Sequence, residues 1–198
     1  MYPVAWVPTN TRLQGNLGEC IAFCCAQFAW TPLPHCIAAN AFRTLADTSR
    51  TGIDLLWVGF GQQAEEDFVI HQEVKTTTLM DLSYASALID DYQKSFGANP
   101  NLTLNTHLHE IKSKLQYEWG RPEFVGRINA LQAASPRQAD RLTVVPTLVH
   151  DLNAEDPVPK LAGIEAELMA QGWKKVEAWA IGFDAISNHL KKMAEDTA

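Results

Sequence analysis

Two short apolar runs separated by a polar stretch dominate the hydrophobic pattern of this chain. Gly52-Ile-Asp-Leu-Leu-Trp-Val-Gly-Phe60 and Phe68-Val-Ile-His-Gln-Glu-Val-Lys75 are rich in β-forming residues. Between them lies Gly61-Gln-Gln-Ala-Glu-Glu-Asp67, a polar turn. The pattern predicts a strand pair. Period-two alternation puts Val69, His71, Glu73 and Lys75 on one face of the second strand, and Phe68, Ile70, Gln72 and Val74 on the other. Pairing of the strands then lets Asp54 lie beside Glu73.

Helical periodicity frames this pair. Asn16 to Trp30 predicts a helix on Leu17, Ile21, Cys24 and Phe28, with Ala22, Phe23 and Ala26 on the opposite side, apolar nearly all round and so buried. Thr31-Pro-Leu-Pro34 stops it. A weaker helix is expected from His35 to Asp47. Further helices are expected at Leu79–Phe96, ended by Gly97-Ala-Asn-Pro100, at Leu104–Trp119 and at Pro122–Ala134. Arg141–His150 reads as a strand whose Pro146 implies an edge or a bulge. After a loop at Asp151–Pro157 come a helix (Lys160–Ala170), a strand (Val176–Ile181) and a last helix (Asp184–Glu195). That final third predicts a parallel strand pair covered by helices. With no repeat, linker or low-complexity tract, residues 1–198 read as a single domain of the α/β class, a mixed central sheet flanked by helices.

Composition changes this picture little: 198 residues, 46% hydrophobic and 20% charged, suffice for one core. No apolar run has the length of a membrane span, and the first residues lack a basic-then-apolar signal pattern, so a soluble cytoplasmic protein is expected. Net charge changes it more. With 16 basic and 23 acidic residues the chain carries −7, which disfavours tight, free-standing binding to nucleic acid. Lys112, Lys114, Arg121 and Arg127, interleaved with Tyr117 and Trp119, offer either a phosphate-following patch or an ordinary solvated face. Cys20, Cys24, Cys25 and Cys36 cluster near one end with no second group to complete a zinc site; they read as buried, reduced thiols.

The chemistry concentrates on Asp54, Glu73 and Lys75. Burying an unpaired charge costs several kcal/mol or more, so something must compensate all three. Hard carboxylate oxygens with open positions suit Mg²⁺ or Mn²⁺. Glu19 adds a carboxylate from an apolar helix. It reads either as the third residue of a capping box with Asn16 or as a further metal carboxylate.

Glu19 on a helix, Asp54 on a strand and Glu73-Val74-Lys75 on the next strand resemble the PD-(D/E)XK nuclease superfamily over roughly residues 14–96. Glu110-Ile111-Lys112 repeats the Glu-x-Lys spacing, but on a helix, where the two charges do not share a face. Two positions depart from the family pattern. Ile53 stands where Pro is common, and Asp91-Tyr92-Gln93 does not supply a Gln-x-x-x-Tyr helix. The resemblance implies a restriction-endonuclease-like core and Mg²⁺-dependent (or Mn²⁺-dependent) hydrolysis of DNA. Asp54, Glu73 and the Val74 carbonyl would hold the metal, Lys75 would orient or deprotonate the attacking water, and Glu19 would hold a water or second metal. His71 shares the face, as a substrate contact or a packed neighbour. An acidic nuclease of this size suggests the effector subunit of an anti-phage defence complex with a helicase or translocase partner. The strand carrying Glu73 is also similar to that of Hachiman-type defence nucleases. The alternatives are a silent interaction subunit on the same scaffold, or an unrelated α/β domain whose Asp54, Glu73 and Lys75 form a structural ion-pair network.

Overall fold

The computed structural model describes residues 11–30, 37–38, 54–96, 100–132 and 140–196. Its centre is a five-stranded mixed sheet in the order β1-β2-β3-β4-β5. The strands are β1 (Ile37–Ala38), β2 (Leu55–Gly59), β3 (Phe68–Thr76), β4 (Leu142–Asp151) and β5 (Trp179–Phe183). β1, β2 and β3 run antiparallel, whereas β3, β4 and β5 are parallel. The parallel pair expected from the last third of the chain is therefore β4 and β5. Ile37 and Ala38, expected within a helix, instead pair with β2; the rest of that segment lies outside the described residues.

Strand alternation divides the core into two layers. On one face Leu56, Val58, Val69, Val144 and Leu148 pack under α2 (Ala87–Phe96), α3 (Pro100–Tyr117), α4 (Val125–Gln132) and α5 (Pro157–Ala170). On the other, Leu55, Trp57, Ile70, Val74, Val145 and Val149 pack under α1 (Thr11–Trp30) and α6 (Ile186–Asp196). A buried polar chain ties three strands together on this second face. The Trp57 indole N–H donates to Gln72 at 3.3 Å, and the Gln72 amide donates to Thr147 at 2.8 Å.

Three sequence expectations are corrected. Pro146 sits in a central strand, not at an edge or bulge. Val144 exchanges backbone hydrogen bonds with Lys175 and Glu177, and the β4–β5 ladder resumes in the same register at Thr147 and Trp179. The rung lost between them is the one that would take a Pro146 N–H to the Glu177 carbonyl, so the strand pairing tolerates one missing hydrogen bond without a bulge. On the outer edge of β5 the Ala178 N–H donates to Glu165 of α5 at 2.7 Å. Second, α1 begins at Thr11, so Asn16 is interior and the capping-box explanation of Glu19 fails. Third, α1 is buried on one side only. Leu17, Ile21, Ala22, Phe23 and Ala26 are inside, while Cys24 is exposed and Phe28 is 89% exposed. The helix expected from Leu79 starts only at Ser83, with a tight 3-10 turn at Ser83–Ser86, and the one expected from Pro122 opens with another at Pro122–Phe124.

Close approach of α1 to β3 depends on one glycine. A Cβ on Gly18 would lie 1.6 Å from Thr76 Oγ1 and 2.8 Å from Thr76 Cβ, and the β-branched Thr76 has little room to turn away. Gly163, inside α5, has nothing within 4 Å of such a Cβ. Gly18→Ala should cost about 1–3 kcal/mol through overpacking. Gly163→Ala should stabilise by about 0.5–1 kcal/mol through helix propensity. Urea unfolding of both variants checks the pair, and equal effects would contradict the packing of α1 on Thr76.

Candidate functional site

The β2–β3 register pairs Leu55 with Gln72, so Asp54, one residue earlier, falls opposite Glu73. Alternation places Asp54, His71, Glu73 and Lys75 on the face covered by α2. The Val74 N–H donates to Asp54 Oδ2 at 2.9 Å. The Asp54 and Glu73 carboxyls lie close enough that each perturbs the ionisation of the other. Burial is the main force raising both above the usual carboxylate range, reinforced on Asp54 by the charge of Glu73 and on Glu73 by Asp91 and Glu19. Glu73 is 3% exposed.

Glu19 arrives from the other side of the sheet. α1 packs on β3 at Thr76 through Gly18, which brings Glu19, the next residue, near the end of β3. There it feels Asp54 and Lys75. Burial chiefly, then Asp54, pushes its carboxyl up to about 8, with Lys75 opposing. The structure thus brings Glu19, Asp54, Glu73 and Lys75 into one electrostatic unit.

Lys75 has a further partner that the sequence did not indicate. Its ammonium pairs with Asp91 of α2 and lies 5.9 Å from the centre of the Tyr84 ring. Burial alone would lower the Lys75 pKa, but its hydrogen bond and attraction to Asp91 overcome this and hold it protonated. Tyr92, beside Asp91, is fully buried. Its hydroxyl donates to the His71 carbonyl at 3.1 Å and accepts from the Glu73 N–H at 3.4 Å. Asp91 was visible as the acid next to the apolar stripe of the helix following Glu73-Val74-Lys75. Its significance depends on that helix returning over β3, which periodicity alone does not give.

At Val74 the group engaging Asp54 is the N–H; the expected metal ligand was the carbonyl of the same residue. Among the described residues, no group of three or more His, Cys, Asp or Glu side chains is disposed to hold a metal ion. What the site offers is an adjoining pair of hard oxygen donors, Asp54 and Glu73, in an acidic surround. That chemistry fits a divalent cation carrying most of its ligands as water or phosphate oxygen.

The basic side chains considered as a phosphate patch each have a local partner. Lys112 donates to Asn129, Lys114 lies over Trp119, and Arg121 pairs with Glu123. Arg127 grips buried Asp67 and the Gly61 and Gln63 carbonyls, fastening α4 to the β2–β3 turn. The described cysteines are free thiols; Cys20 and Cys25 are half-buried and Cys24 is exposed, whereas all were expected inside, and Cys36 lies outside the described residues. No helix among the described residues is long and apolar enough to cross a membrane. Neither a scan against protein-family models nor a search of curated proteins finds a match to this chain.

The site's acids make a signed prediction. Glu19 has its folded pKa raised from 4.5 to about 8. The folded state therefore holds its proton more tightly, and this contribution to stability is lost as pH rises from about 4.5 through about 8. Thermal unfolding by circular dichroism between pH 5 and 8 should show a falling midpoint, with a visibly shallower fall in Glu19→Gln. Equal slopes in both proteins would contradict the burial of Glu19.

Proposed function

We propose that this chain hydrolyses phosphodiester bonds in DNA as a metal-dependent nuclease of the PD-(D/E)XK type, built on a restriction-endonuclease-like core. One observation carries the reading. Asp54 and Glu73 stand opposite each other across β2 and β3, on the face that also presents Lys75, with Glu19 within electrostatic reach. Asp54 and Glu73 are the residues that would hold Mg²⁺ or Mn²⁺, with the Val74 backbone alongside. The bound ion would offset charge on the phosphodiester oxygens and acidify a water. Lys75, kept protonated by Asp91, orients the attacking water and offsets negative charge building on the phosphate. Glu19 holds a water or a second ion. The net charge of −7 and the local engagement of Lys112, Lys114, Arg121 and Arg127 favour delivery of DNA by another protein. We assign the chain as the effector subunit of a cytoplasmic anti-phage defence complex, partnered by a helicase or translocase.

A second reading has its own observation. The Lys75–Asp91 ion pair leaves the amine already engaged, as expected of a catalytically silent subunit in which these charges only hold the fold. The two readings part in one assay. Plasmid and linear DNA are incubated with the chain, with and without Mg²⁺ or Mn²⁺, comparing wild type with Glu73→Ala and Lys75→Ala. The nuclease reading expects cutting only with the ion, lost in Glu73→Ala and reduced by about 10²–10³ in Lys75→Ala. Undiminished digestion by both variants would remove these residues from the chemistry. Silence of the wild type with its partner present would favour the second reading.

A further inference from the structure

His71 is fully buried, two residues before Glu73 on the same face of β3. Its Nε2 lies 2.8 Å from Glu73 Oε1. The ring is held between aromatic neighbours, 5.1 Å from Tyr92 and 4.8 Å from Phe96 by ring centres. Tyr92 also clamps the backbone on both sides of the intervening Gln72, through the His71 carbonyl and the Glu73 N–H. A leucine would fill such an apolar slot. An imidazole there needs a reason, because burying an unsatisfied polar atom costs about 1–3 kcal/mol. His71 Nδ1 has no hydrogen-bond partner among the described residues.

That unpartnered atom decides the tautomer. If Nδ1 carried the proton, the core would contain a buried N–H with no acceptor, which native proteins rarely tolerate. With the proton on Nε2, the ring donates to Glu73 and Nδ1 keeps only a lone pair among carbon atoms. We propose that His71 is the positioning residue of Glu73: its Nε2–H grips one carboxylate oxygen and leaves the other aimed at Asp54. The assignment rests on the reading of Glu73 as an ion-binding carboxylate. It gives the site a partner behind its ligand, of the kind that orients metal-bound carboxylates elsewhere. His71 touches neither substrate nor ion in this arrangement; it acts through Glu73.

The test uses the full chain and Mn²⁺ as probe. Calorimetric titration of wild type, His71→Leu and His71→Gln separates a positioning role from packing. His71→Leu removes the donor and should weaken Mn²⁺ binding by about 10–100-fold, while His71→Gln, which returns an N–H near the Nε2 position, should restore most of it. Equal Mn²⁺ affinity in wild type and His71→Leu would overturn the proposal and leave the nuclease reading standing. No Mn²⁺ binding by the wild type would sink that reading, and the proposal with it. Ring ¹⁵N shifts of His71 in the unaltered protein provide a test that no folding failure can spoil. They should report the Nε2–H tautomer, and an Nδ1–H tautomer would overturn the assignment.

Discussion

Asp54 and Glu73 face each other across the antiparallel β2–β3 pair, and much of the neighbouring structure answers to that contact. Two buried carboxyls this near each other repel when both are charged, so the fold favours binding a proton there or accepting a cation in its place. The surrounding groups are arranged around this choice. Val74 donates its N–H to Asp54, and His71 contacts Glu73 through Nε2. The apolar residues of β2 and β3 on the opposite face, Leu55, Trp57, Ile70 and Val74, pack under α1 and fix the register that puts the two acids side by side. A slip of one residue would send Glu73 into that apolar layer.

Lys75 shows why one cation does not neutralise the cluster. It shares a face with Asp54 and Glu73, yet its ammonium settles on Asp91, beside the Tyr84 ring. Asp91 belongs to the helix that also supplies Tyr92, so a single element positions both the amine and the backbone beneath the acids. Glu19, Asp54 and Glu73 outnumber that cation, and burial first, then the neighbouring acids, raises their carboxyls. A divalent ion at Asp54 and Glu73 would relieve a repulsion that Lys75 lowers but does not cancel.

Alternation made the centre of this arrangement legible before any coordinates. Period two on Phe68–Lys75 sorts its side chains into the two layers observed, and the strand pair follows from the polar turn. The misses have physical causes of equal clarity. Pro146 reads as an edge signal because a proline lacks a donor, but the β4–β5 ladder tolerates that one missing rung and resumes in register at Thr147 and Trp179. Asn16 reads as a helix start, whereas the helix already runs from Thr11. Cys24 and Phe28 repeat at helical spacing yet face outward, because α1 is apolar on more sides than it buries. The partners of Lys75 and Glu73 were hidden for another reason. Asp91 and Tyr92 matter through contacts between separate elements, and local periodicity carries no information about which helix returns over which strand.

Glu19 brings these threads together. Its helix packs on the layer opposite Lys75, so a carboxylate from α1 can meet the acids only by passing the end of the sheet. Gly18 allows that passage, since its lack of a side chain lets the helix sit directly on Thr76, the last residue of β3. The glycine and the acid are adjacent in sequence because they serve one geometry, the first setting the approach and the second using it. A capping role for Glu19 fails with the position of the helix start. What remains is a half-buried acid, raised to about 8, held beside Asp54 and Lys75. Such a group is costly to keep in a scaffold whose only task is packing, and that cost is the strongest physical reason to read this end of the sheet as a site rather than as a seam.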